Sequence, residues 1–305
     1  MSIENLIQQM LILLILMVVG FIAGKAGVID ADGNKKITKM VLYVTSPAMI
    51  LASAMNSELS FTVADVLLLF FYAFLMFAVM SAIAFAVAMA FRAEPARKNV
   101  YKFMMIFGNT MFMGFPVVSA LYGSSAVLIA SIFGIPNNFL LYSVGILTIS
   151  GGKGGKMDWK KLINPAFIAT LVSLVFVFSG IRVPYVIHKS CDMLGSVTVV
   201  CAMLVIGVSL SQARFGSLIR DPHMLITCAV KLFAAPAAVW AVCRFLVRDE
   251  MILGILVALA AMPVGSVASM FSLEYGGDAE CGSCGTFLTT VLSVVTVPLM
   301  LYVLL

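Results

Sequence analysis

Between residues 6 and 305 the chain is a succession of apolar runs joined by short charged connections. The runs occupy residues 6–23, 38–55, 63–91, 100–122, 126–149, 162–180, 194–210, 225–247, 251–275 and 285–305. A helix rises 1.5 Å per residue, so about 20 apolar residues cross a bilayer core of ~30 Å. Ten runs therefore predict ten spans. Charge is scarce to match: 11% of residues are charged and 62% are hydrophobic, with a mean hydropathy of +1.12. An ordinary soluble domain carries roughly 25% charged residues. So little charge excludes a soluble globular fold and a disordered chain. The net charge of +5 is scattered over short loops and forms no nucleic-acid footprint. No basic residue precedes the first run, and Glu4 is its only early charge, which argues against a cleaved secretory leader.

Loop charges orient the spans. With the N-terminus outside, the inner loops carry Lys25, Lys35, Lys36, Lys39, Arg92, Arg97, Lys98, Lys102, Lys153, Lys156, Lys160, Lys161, Arg214 and Arg220. The outer side carries Arg182, Lys189, Arg244 and Arg248. A bias of fourteen to four is a strong positive-inside signal. Both termini then face outward. Residues 151–161, rich in Gly and Lys, read as a flexible cytoplasmic linker between residues 1–150 and residues 162–305. Five spans on each side force opposite orientations, which is the topology of an inverted repeat.

Helix breakers at bilayer depth point to a transport site. The fourth span reads Gly108-Asn109-Thr110-Met111-Phe112-Met113-Gly114-Phe115-Pro116, which falls near mid-membrane. The ninth span, its counterpart in the second half, reads Ala261-Met262-Pro263-Val264-Gly265-Ser266. Lipid cannot satisfy the backbone groups that such breaks release. They belong in protein or along a polar cavity. Half-helix N-termini there suit a carboxylate. One such break reads as a simple Pro kink; two in matching spans favour a crossed pair of broken helices.

Asn109-Thr110-x-x-Met113-Gly114-x-Pro116 resembles the fourth-helix motif of the auxin efflux carrier family. Ala261–Ser266, followed by Glu274-Tyr275-Gly276-Gly277-Asp278, is similar to its ninth-helix motif. Smaller echoes are Ser46-Pro47, Ile206–Leu210 and Lys231-Leu232 with Pro236. The short central loop resembles the bacterial branch. The resemblance implies a fold like that of sodium/proton antiporters and bile-acid symporters, as a homodimer. Helices 1, 2, 6 and 7 form its scaffold. Helices 3–5 and 8–10 form a transport domain in which helices 4 and 9 cross. It also implies elevator-like movement and small organic anions, carboxylates, as substrates. The expected protein is thus an all-α polytopic carrier of the bacterial inner membrane, with two inverted five-helix repeats, that exports organic anions.

The expected substrate contacts are Asn109, Thr110, Pro116, Asn137, Asn138, Pro263, Gly265 and Ser266. Asn109 can donate to a carboxylate or serve the broken backbone. Asn137 and Asn138 follow Pro136 halfway along the fifth span, where polar groups face the bundle interior. Thr286, Thr289 and Thr290 line the pocket or bond back onto their own helix. Lys231 is the one charge well inside a span. It attracts the anion, neutralises the C-terminal ends of the broken helices as electrostatic support, or snorkels to the interface.

No Asp or Glu stands near the middle of a span, so a carboxylate proton relay or an acid-lined sodium site has little support. Cys281 and Cys284 form a Cys-x-x-Cys at the inner end of the tenth span, too few thiols for a closed zinc site. The other cysteines read as small apolar residues. His188 and His223 lie at opposite faces. No metal, cofactor or catalytic residue is expected. The rival readings are a sodium-coupled symporter of bile-acid type, a membrane thiol oxidoreductase, and a receptor that binds without flux.

Overall fold

The computed structural model describes residues 3–55, 61–152, 163–181, 183–212 and 217–305. All regular structure among them is helical. The helices are α1 (Ile3–Lys25), α2 (Ala31–Met55), α3 (Val63–Met89), α4 (Pro95–Ile106), α5 (Phe115–Tyr122), α6 (Ala126–Ile149), α7 (Pro165–Ser179), α8 (Tyr185–Gln212), α9 (Pro222–Cys243), α10 (Glu250–Ala261), α11 (Val267–Tyr275) and α12 (Ala279–Leu304). Starts and stops follow local chemistry. Asp30, Asn164, Asp221, Asp249 and Asp278 cap α2, α7, α9, α10 and α12, each accepting from a first-turn amide. Pro95, Pro165 and Pro222 open α4, α7 and α9, where a missing N–H costs nothing. Gly180 and Gly276 end α7 and α11 in the left-handed region, at φ 63° and 79°.

Among the described residues, seven helices are long and apolar enough to cross a membrane: α2, α3, Pro95–Tyr122, α6, α8, α9 and α12. Leu11–Lys25, Pro165–Ser179 and Glu250–Ala261 are shorter apolar helices. Glu250–Ala261 is short for a reason legible in the sequence. Its chain leaves the helix at Met262, just before Pro263. The chain is therefore a multi-pass helical membrane protein.

Four π turns interrupt the helices among the described residues: Val41–Thr45, Thr110–Gly114, Leu141–Gly145 and Val230–Ala234. Such turns concentrate at functional positions. The fourth span leaves helical geometry at Phe107–Asn109, ahead of Pro116. Pro116 follows the π turn Thr110–Gly114 in continuous helical backbone, as Pro47 follows Val41–Thr45 and Pro236 follows Val230–Ala234.

Internal contacts gather the chain into two compact units, each drawing on both halves of the sequence. Unit one comprises Met1–Phe71, Met111–Ile135 and Ile163–Gln212; unit two comprises Tyr72–Thr110, Pro136–Leu162 and Ala213–Leu305. In unit one α1 packs along α8. The spacing Gly20-x-x-x-Gly24 makes this possible. A Cβ on Gly20 would stand 2.5 Å from the Leu204 carbonyl oxygen, so only glycine lets the backbones meet. In unit two α4, α9, α10 and α12 enclose a core in which Tyr101, Met104, Met105 and every residue of Ile255–Ala258 are buried. The expected linker starts in a turn at Gly151 and Gly152, both at positive φ. Beyond Gly152 it lies outside the described residues, as do the orienting charges Arg182 and Arg214.

Candidate functional site

The two broken stretches meet within unit two. The Asn109 amide donates to the Pro263 carbonyl at 2.7 Å. The position of a Cβ on Gly265 lies 3.6 Å from Asn109 Cα and Cβ. Asn109 and Gly265 are half-buried, Pro263 is buried and Ser266 is exposed. Ser266 occupies the N-cap of α11 and makes no side-chain cap hydrogen bond. Its hydroxyl thus leaves the first-turn amides of α11 to other acceptors.

Threonines of α12 serve the broken backbone. Thr289 Oγ1 accepts from the Val264 amide at 3.0 Å while donating to the Gly285 carbonyl at 2.7 Å. Thr286 Oγ1 lies 3.1 Å from the Gly265 carbonyl and 2.9 Å from that of Gly282. Thr290 bonds only back onto Thr286, at 2.6 Å. All three therefore bond back onto their own helix, and two of them also reach the broken backbone. A lipid environment offers Val264 no other donor-acceptor partner of this kind. Thr289→Val keeps the shape and strands a buried amide, a loss of ~1–3 kcal/mol. A drop of about 2–6 °C in thermal midpoint is expected. Thr290→Val, which strands no backbone group, serves as the reference in the same melting experiment.

Thr110 and Asn137 form a second pair. Asn137 Nδ2 donates to Thr110 Oγ1 at 3.2 Å. Asn137 is buried, and its Oδ1 has no hydrogen-bond partner among the described residues. Asn138 is half-buried and shares no described bond with this pair. Pro116 belongs to unit one and is not part of the unit-two cluster.

Lys231 lies in the π turn Val230–Ala234 and is fully buried. Its amino group donates to the Ala260 carbonyl at 3.3 Å. A Cβ on Gly108 would come within 3.1 Å of Nζ. The amine therefore stands where α4 and α10 end, beside Gly108 and Ala260. Full burial keeps it from reaching water at the membrane surface, which removes the snorkelling reading. Each helix C-terminus carries about half a negative charge, and the amine lies beside two of them.

A polar rim at the start of α9 and α12 escaped the reading of the sequence. The Tyr101 hydroxyl donates to Asp221 Oδ2 at 2.5 Å, and Asp221 Oδ1 lies 3.0 Å from His223 Nδ1. Burial pushes the Asp221 carboxyl up. Bonds from Tyr101 and His223 outweigh it and hold the carboxyl below its ordinary value. Arg97 pairs with Asp278 at 2.8 Å. The only sequence signal was the Asp-Pro pair that starts α9. Cys281 and Cys284 are buried and unpaired as a disulfide. No group of three or more His, Cys, Asp or Glu side chains able to hold a metal is found among the described residues.

Comparison with known proteins fits this architecture. The membrane transport protein family matches residues 5–158 and again residues 153–301. The chain belongs to this family, which is the auxin efflux carrier family that the fourth- and ninth-span motifs resemble. An uncharacterized transporter of Methanothermobacter thermautotrophicus is 22% identical over 294 residues, 96% of each chain. The uncharacterized transporter MJ1031 of Methanocaldococcus jannaschii is 24% identical over 306 residues, 97% of each chain. The uncharacterized transporter YfdV of Escherichia coli is 20% identical over 309 residues, again 97% of each. The protein is a membrane transporter and not an enzyme, which removes the thiol oxidoreductase.

Proposed function

We propose that this transporter carries small organic anions, carboxylates, out across the inner membrane by alternating access. The observation that carries the reading is the 2.7 Å bond from the Asn109 amide to the Pro263 carbonyl, which ties one broken span to the other. We read these spans as crossing, the fourth and ninth of ten, in two inverted repeats. The two successive family matches support the repeats. An anion then meets the first turn of α11, whose Ala268 amide already donates to the Gly265 carbonyl, together with Ser266, the Thr110–Asn137 pair and Asn109. Helix N-termini favour a carboxylate without a fixed Arg clamp. Lys231 provides electrostatic support from behind the breaks. We read the carrier as elevator-type, with helices 1, 2, 6 and 7 as a dimerising scaffold and both termini outside; that α1, α2, α7 and α8 fall in one compact unit supports the scaffold.

Flux of a labelled carboxylate panel into liposomes tests the reading, with wild-type protein beside Asn109→Ala, with and without sodium and pH gradients. Saturable flux of an acid is expected, unchanged without sodium and at least tenfold lower in the variant. An absolute sodium requirement would transfer the reading to the symporter. Binding of an acid with no flux would transfer it to a receptor.

A further inference from the structure

Buried hydroxyls in unit one divide into two kinds. Ser53, Thr170 and Ser211 each donate to a carbonyl three or four residues back, at 2.6, 2.8 and 2.7 Å. Thr45, Ser46 and Thr198 do not. They are 2%, 0% and 0% exposed, and no described residue bonds their hydroxyls. A buried polar atom without a partner calls for an explanation.

The three hydroxyls fall at one level. Asn34 Nδ2 donates to Ser209 Oγ at 3.0 Å, and a Cβ on Gly195 would stand 2.7 Å from Met49 Cα. These two contacts set α2 antiparallel to α8, and Thr45 and Ser46 then lie opposite Thr198. Between the contacts α2 spends fifteen residues and α8 fourteen. The π turn Val41–Thr45 takes up the extra residue, since such a turn is a one-residue insertion in a helix. Pro47 follows directly and has no N–H, so one carbonyl of the turn loses its backbone donor. Three hydroxyls and one carbonyl oxygen thus lie at one level where α2 packs on α8.

We infer that unit one binds an ordered water molecule between Thr45, Ser46 and Thr198, and that this water completes the hydrogen bonding of the π turn. The donor count decides against sodium. A sodium ion takes lone pairs and leaves three O–H donors without acceptors. A water molecule accepts from two of the hydroxyls and donates to the third and to the carbonyl, which gives each of the four a bond and leaves one O–H donor unmatched instead of three. The water supplies the donor that Pro47 lacks, so the turn keeps its extra residue at bilayer depth without stranding backbone.

A high-resolution structure of the full chain, determined in sodium chloride and again in choline chloride, tests this. One density peak about 2.6–3.2 Å from all three oxygens is expected in both salts. Thr198→Val is expected to lose the peak, and Thr198→Ser, which restores the hydroxyl, to keep it. Wild-type hydroxyls turned onto their own helix carbonyls with no peak between them would overturn the inference. So would a peak seen in sodium and lost in choline, at distances shorter than a hydrogen bond.

Discussion

Lys231→Met is expected to leave the protein at least as heat-stable as the wild type while cutting its anion flux by tenfold or more. The two effects have different physical origins. Lys231 is fully buried, and its described hydrogen bond is the 3.3 Å contact to Ala260. An ammonium offers three donors, so this one is poorly solvated by the protein. Methionine of similar volume removes the desolvation cost, and hydrophobic replacement of buried charge is often neutral or stabilising. What it also removes is the cation beside the ends of α4 and α10. Charge compensation at a helix end reaches ~2 kcal/mol in partly buried settings. That is about thirtyfold in an equilibrium. The readouts are a thermal melt and initial flux in liposomes, taken on the same preparation. Flux at the wild-type level would make Lys231 a packing residue. Collapse of both stability and flux would make it a keystone of the fold, with no separate part in transport.

The membrane class was legible in the sequence because bilayer thickness sets a length that apolar runs must meet. Helix ends were legible for the same local reason: Asp221-Pro222 and Asp249-Glu250 carry cap chemistry in adjacent residues. The positions of the breaks were legible at Gly108-Asn109 and Pro263, since Gly and Pro act on their own turn of backbone. Which partners would serve those breaks was not. Thr286 and Thr289 stand some twenty residues downstream of the backbone they satisfy, and their spacing is equally that of threonines bonding their own helix. The effect of Pro116 was legible in part: it follows the π turn Thr110–Gly114 in continuous helical backbone, while the chain leaves helical geometry earlier, at Phe107–Asn109. The unpartnered hydroxyls of Thr45, Ser46 and Thr198 had no signal at all, because an orphaned hydroxyl is a property of three dimensions.

Gly108→Ala is expected to abolish anion flux and to lower the thermal midpoint, through one methyl group. The new Cβ would stand 2.9 Å from the Met262 carbonyl oxygen, 3.1 Å from Lys231 Nζ and 3.4 Å from Lys231 Cε. The lysine end can swing, but the carbonyl cannot give cheaply. Met262 caps α10, and the next two residues are held from both sides. The Pro263 carbonyl accepts from Asn109 at 2.7 Å, and the Val264 amide donates to Thr289 at 3.0 Å. Relief therefore requires the two broken stretches to part, which lengthens the Asn109–Pro263 bond and pushes the amine from Ala260. Overpacking of this kind costs about 1–3 kcal/mol. A misplacement well under 1 Å at a site built on backbone groups is enough to spoil a binding geometry. Two control variants isolate the cause. Gly134→Ala meets nothing within 4 Å, and Gly265→Ala meets Asn109 at an ordinary 3.6 Å. Both are expected to melt within a degree or two of the wild type. If Gly108→Ala also melts and transports like the wild type, the breaks are not in the tight contact described, and the site built on them falls with it.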